Sequence, residues 1–199
     1  MKKRIYALIL GGIFAFAGCP LTSIAQTAST AEPTTVTKGK PYKENWANTK
    51  VILKKKIWTV EDKNNDNNTW EDLDAGAPAY NGANATVNAD DWLVSPPLHL
   101  IAGQTYALEA GAVVGGHSGT GQRMNIAYGT GDDPTTYNEI VPTTPISGTA
   151  FGTPTTIKTT FTPTETGDYR IGFHAVSDRP GYIIMRPVKV EEAAETSGT

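Results

Sequence analysis

Two stretches of this chain concentrate the side chains that could do chemistry. Glu61-Asp62-Lys63-Asn64-Asn65-Asp66-Asn67-Asn68 is an acidic, amide-rich run between Trp58 and Trp70, and Asn88-Ala89-Asp90-Asp91 leads into the apolar Trp92-Leu93-Val94. Carboxylates and amide carbonyls at alternate positions suit a hard cation, since calcium takes about six to eight oxygen ligands at about 2.3–2.6 Å. Asp62-x-Asn64-x-Asp66 has the spacing of the opening of such a loop, and Asn67 can take the left-handed conformation that glycine normally fills. Leu73 stands at the twelfth position where an EF-hand needs glutamate, so this is no EF-hand, and further oxygens must come from Glu71, Asp72, Asp90 or backbone. Asp62, Asn64, Asp66 and Asp90 are therefore the candidate metal ligands. The alternative is a solvated turn whose Asn and Asp side chains bond their own backbone.

Other chemistry is poorly supplied. Asp90 and Asp91 are adjacent, so in extended chain they point to opposite faces and cannot act as one acid/base pair. The three histidines include no two at metal-ligand spacing. Gly116-His117-Ser118-Gly119-Thr120 misses the nucleophile-elbow pattern at its last position, and its glycines lack the lysine and following helix that cradle phosphate. No catalytic residue is assigned. Trp70, Trp92 and the loop residue His117 are the candidates for touching a ligand such as a sugar ring, although apolar strand residues flanking the tryptophans favour core packing.

The elements that must position these groups are strands. Twenty Gly, 13 Pro and frequent Thr favour turns over helices. Tyr106, Leu108, Ala110, Ala112 and Val114 share one face of an alternating run, as do Ile157, Thr159 and Phe161, and Tyr169, Ile171 and Phe173. Trp92-Leu93-Val94 is a short strand ended by Pro96-Pro97, because proline cannot donate to a central ladder. Met124 to Tyr128, Ile140-Val141, Tyr182 to Met185 and Val188 to Val190 supply further strands, and Gly76 to Asn88 is expected to be irregular. Lys54-Lys55-Lys56 marks a solvated edge or turn. The fold class is all-β, a two-sheet antiparallel β-sandwich of the jelly-roll kind.

Residues 1–25 have the form of a signal peptide: Met1-Lys2-Lys3-Arg4, an apolar run from Ile5 to Ala17, and small residues at Ser23-Ile24-Ala25. Ala17-Gly18-Cys19 offers a lipoprotein site as the lesser alternative. Cleavage after Ala25 leaves 14 basic against 20 acidic residues, which argues against nucleic acid and against anionic membranes as partners. It also removes the single cysteine, leaving an exported domain without disulfides. Residues 26–40 read as a flexible leader, 41–191 as the folded domain, and 192–199 as a polar tail.

Several motifs then fall in one order: Trp58-x3-Asp62-x3-Asp66-x3-Trp70, Asp91-Trp92-Leu93-Val94-Ser95-Pro96-Pro97-Leu98-x-Leu100, Gly103-x2-Tyr106-x-Leu108, and Tyr169-Arg170-Ile171-Gly172-Phe173-His174-Ala175-x-Ser177. Over Trp58 to Val190 the chain resembles the cleaved-adhesin or choice-of-anchor J type of module, the jelly-roll domains of gingipain haemagglutinin–adhesin regions and other bacterial surface proteins. The resemblance implies a non-catalytic sandwich that binds calcium structurally and serves attachment outside the cell. Here asparagines replace the glycines of the family's Asp-Gly-Asp-Gly loop, and Ile183-Ile184-Met185-Arg186 stands where the family tends to place aspartates. The expected function is recognition of a glycan or surface protein. A structural accessory domain without soluble ligand is the alternative. A glycoside hydrolase comes third, because no acid pair at the required separation is evident.

Overall fold

A computed structural model describes residues 28–73, 76–115, 121–147, 152–178 and 180–194. The expected signal peptide, Cys19 and His117 lie outside them. In chain order the strands are β1 (Thr34–Thr35), β2 (Tyr42–Glu44), β3 (Thr59–Asp62), β4 (Trp70–Asp72), β5 (Pro78–Asn81), β6 (Asp91–Val94), β7 (Leu98–Leu100), β8 (Tyr106–Gly115), β9 (Arg123–Thr130), β10 (Asn138–Pro145), β11 (Thr155–Phe161), β12 (Gly167–Ala175) and β13 (Tyr182–Glu192). Among the described residues the one α-helix, α1 (Thr49–Lys54), carries Val51 to Leu53 into the lysine turn.

The strands form two sheets packed as a sandwich. One has seven strands, with β10, β9 and β12 side by side, then β6 and β7 in line along the far edge of β12, flanked by β3 and β1. The other has six, ordered β11, β8, β13, β5 and β4, with β2 also on β13. All pairings are antiparallel except β1 with β7. The alternating faces behave as their pattern requires: Tyr106, Leu108, Ala110, Ala112 and Val114 are all buried, as are Tyr169, Ile171 and Phe173.

Pro96-Pro97 separates β6 from β7 along β12, and Ser95 repairs the break. Ile171 N–H donates to Ser95 Oγ at 2.9 Å, and Ser95 N–H donates to Ile171 O at 2.9 Å. The amide of Ile171 thus keeps a partner where proline offers no matching backbone.

Two expectations need correction. The stretch read as a flexible leader is built into the sandwich from Thr34: β1 pairs with Leu98 and His99, and Val36 is 1% exposed. A two-residue strand carries no periodicity, and one valine among Thr and Ala is too weak a signal. Gly76 to Asn88 is likewise not wholly irregular, because Pro78–Asn81 pairs with both β4 and β13 and buries Ala79 and Tyr80. Proline is tolerated there as the first residue of its strand. At the other end β13 runs on to Glu192, and Ala193 N–H donates to Thr105 O.

Trp92 lies on the outer face of its sheet rather than in the main core. His174 stacks on it at 4.0 Å and 8°, and Tyr137 meets it edge-on at 6.5 Å. Gly172 makes this possible, since a Cβ there would stand 2.8 Å from Trp92 Cε3. Gly172→Val should therefore destabilise the protein by about 1–3 kcal/mol by overpacking, measured as a lower urea midpoint with unchanged slope.

Candidate functional site

The candidate site forms where β3 ends and β6 begins. The antiparallel register sets Asp62 opposite Asp91, and the loop from Lys63 to Thr69 folds over that pair before β4. Asn65 and Asn67 take positive φ values of 56° and 62°, the conformation expected of Asn67 from its type. Lys63 N–H donates to Asp90 O at 3.0 Å, and Asn64 Nδ2 donates to Asn88 O at 2.8 Å, so the two stretches are stitched together. Asn67→Gly should be near neutral and Asn67→Ala should cost about 1 kcal/mol, because only the latter strains the left-handed backbone; paired thermal melts would separate them.

Each acid spends one oxygen on the loop and buries the other. Asp62 Oδ2 accepts from Asn67 N–H at 3.0 Å, Asp66 Oδ1 accepts from Asn68 N–H at 2.8 Å, and Asp91 Oδ2 accepts from Asp90 N–H at 3.1 Å. The remaining oxygens, Asp62 Oδ1, Asp66 Oδ2 and Asp91 Oδ1, are closed to solvent and have no hydrogen-bond donor, and Thr69 Oγ1 is equally unsatisfied. Buried carboxylate oxygens in that condition are costly unless something positive meets them.

The electrostatics carry the same message. Burial pushes the Asp91 carboxyl from 3.8 up to about 7, with Asp62 and Asp66 adding to the rise. The Thr69 hydroxyl, close by but in no aligned hydrogen bond, works against it, as does the Asp90 amide. Tyr80, at the same spot, is also raised, first by burial and then by Asp91, Asp66 and Asp62. Among the described residues no three His, Cys, Asp or Glu side chains are drawn together as a finished metal cage. The inward oxygens are of the type and number from which a calcium shell is begun.

Of the four candidate ligands, Asp62 and Asp66 are placed here. Asn64 is beside them, with its amide engaged in the loop: Oδ1 accepts from Asp66 N–H and Nδ2 donates to Asn88 O. Asp90 is the miss. It points to the other face, where its Oδ1 lies 2.7 Å from His174 Nε2, and Asp91 takes the inward place at 0% exposure. The signal was present: Asp91 and Leu93 share a face, and Leu93 is core. Trp70 and Trp92 are also corrected, since at 2% and 6% exposure neither presents an indole face to a ligand. Trp70 instead pins the site, its Nε1 donating to Asp91 O at 3.1 Å. His174 is half-buried beside Asp90, and burial lowers its pKa against the pull of that carboxylate. The oxygens Asp62 Oδ1, Asp66 Oδ2 and Asp91 Oδ1 are closed to solvent, so none of them is presented to a sugar.

Solved structures supply the comparison. The K1 cleaved adhesin domain of Lys-gingipain from Porphyromonas gingivalis W83 superposes with a TM-score of 0.59 and 18% identity, covering 77% of this chain and 99% of that domain. The chain has the cleaved-adhesin fold. The K3 cleaved adhesin domain of the same protein matches at TM-score 0.51 and 17% identity, over 68% of this chain and 92% of that one. A CBM4 carbohydrate-binding module matches at 0.50 and 16%, over 68% and 86%. No family model and no curated protein matches the sequence. Within the cleaved-adhesin fold of this chain, no helix among the described residues is long and apolar enough to cross a membrane.

Proposed function

We propose that this chain is an exported, non-catalytic binding module that recognises a glycan or a surface protein. In this reading one calcium ion, held by Asp62, Asp66 and Asp91 with Thr69, stiffens the loops at one end of the sandwich. The observation that carries the calcium part is the set of three buried carboxylate oxygens without donors. Calcium when bound supplies positive charge and a flexible oxygen shell. The chain's own contribution is the rest: Asn65 and Asn67 turn the loop, Asn64 ties it to Asn88, and Trp70 holds the Asp91 backbone.

Support for recognition comes from the shared fold with adhesin and carbohydrate-binding domains. Export rests on the basic, apolar and small-residue order of residues 1–25. The test is binding of the exported chain to a glycan array and a panel of surface proteins, in calcium and in chelator. Retention on at least one surface, weakened in chelator, is the expected result. Silence on every surface in both buffers would leave only an accessory, structural role.

A further inference from the structure

The outer face of the six-stranded sheet carries a trench far from the acidic loop. Register sets Lys158, Glu109 and Lys189 in one row across β11, β8 and β13, and Thr160, Ala107 and Glu191 in the next. Alternation turns both rows to solvent, because Ile157, Leu108 and Val190 beside them are buried. Ala107 is short where its neighbours are long. The depression above it has a volume of about 540 Å³, and a second of about 400 Å³ continues over the same alanine past Glu191 to Lys38. Volumes in this range suit a small or chain-like ligand.

The lining is charged yet balanced. Lys158 Nζ lies 3.2 Å from Glu109 Oε2, Lys189 Nζ lies 2.6 Å from Glu191 Oε1, and the Lys38 amide donates to Glu192 Oε2 at 2.7 Å. Among the described residues three lysines and three glutamates line the two depressions, and no aromatic ring does. A balanced trench exerts little long-range pull on an ion, and without rings it cannot hold a ligand by stacking. What it offers is a dense alternation of donors and acceptors over a floor of small residues. Exposed ion pairs contribute little to stability, so their ends can exchange partners readily. A chain of hydroxyls, each able to donate and accept, matches that pattern.

We propose that this trench over Ala107 is the binding groove for an uncharged oligosaccharide chain. The proposal rests on the reading of the protein as a recognition module and names its ligand and its place. The experiment probes the exported chain and two variants on an array of neutral glucan, xylan and mannan oligosaccharides beside uronic-acid oligosaccharides. Circular dichroism and melting serve as the fold check. Wild type should bind neutral chains, and Ala107→Trp, which fills the floor, should bind them at least tenfold more weakly. The double variant Glu109→Ala/Glu191→Ala leaves Lys158 and Lys189 unopposed and should lose neutral chains while gaining acidic ones; it keeps the test alive if Ala107→Trp does not fold. Neutral-chain binding untouched in the folded variants would overturn the groove and leave glycan recognition standing. Wild type that binds only acidic chains would overturn the charge argument. A wild type that binds no glycan at all would remove the groove together with the glycan reading.

Discussion

In about 10 mM calcium the protein should melt roughly 3–10 °C higher than in chelator, and Asp91→Asn should abolish that rise. The magnitude follows from an affinity typical of extracellular modules, about 10⁻⁴–10⁻³ M. A ligand binding only the folded state at that strength adds about 1.4–2.7 kcal/mol, and a domain of this size shifts by about 2–4 °C per kcal/mol. In chelator the asparagine variant should be at least as stable as wild type, because an amide brings no third charge beside Asp62 and Asp66. The pH dependence has a definite sign. The Asp91 carboxyl is raised from 3.8 to about 7 in the folded protein, so between those values the folded state holds a proton that the unfolded state has lost. This group's contribution is therefore greatest below about pH 4, falls as pH rises to about 7, and is level beyond. Chelated wild type should accordingly lose stability from pH 5 to pH 7.5 more steeply than Asp91→Asn, whereas the calcium-induced rise should be larger at pH 7.5, where the carboxyl is ionised. Calcium-independent melting in wild type at pH 7.5 would remove the metal from the account.

Trp58→Ala should lower stability by about 3–5 kcal/mol, the largest single loss expected in the chain. Trp58 is 0% exposed and joins the two sheets: it packs on Trp46 at 4.8 Å and on Phe173 of β12 at 6.0 Å. Its Nε1 donates to Tyr42 Oη of β2 at 3.1 Å, while Trp46 Nε1 donates to Arg186 O of β13 at 2.8 Å. Removing the indole opens a cavity between elements that cannot collapse toward each other, and it takes a hydrogen-bond partner from the half-buried Tyr42 phenol. Trp58→Phe keeps much of the packing and should lose less than half as much. Urea unfolding of both variants, with slopes compared to wild type, checks the order. A loss below 1 kcal/mol in the alanine variant would mean that Trp58 does not join the sheets.

Much of this protein was legible in the chain because period two is a local property. Tyr106 to Val114 and Tyr169 to Phe173 announce a buried face whichever strands they later meet. The Asp62-x-Asn64-x-Asp66 spacing and the left-handed Asn67 belong to a single loop, so local residue types were enough to propose them. What residue types could not settle was which distant strand stands opposite. Alternation with Leu93 puts Asp91 rather than Asp90 on the inner face, but only the pairing of β6 with β3 in one register sets it opposite Asp62. Val36 and β1 escaped notice because a two-residue strand exists only through the neighbour it pairs with, Leu98–His99. The trench over Ala107 is likewise a product of three strands laid side by side, and no stretch of sequence contains it. Alternation along the chain determined the faces, and pairing across the sheets determined which groups meet, because long-range register is a property of the assembled sandwich alone.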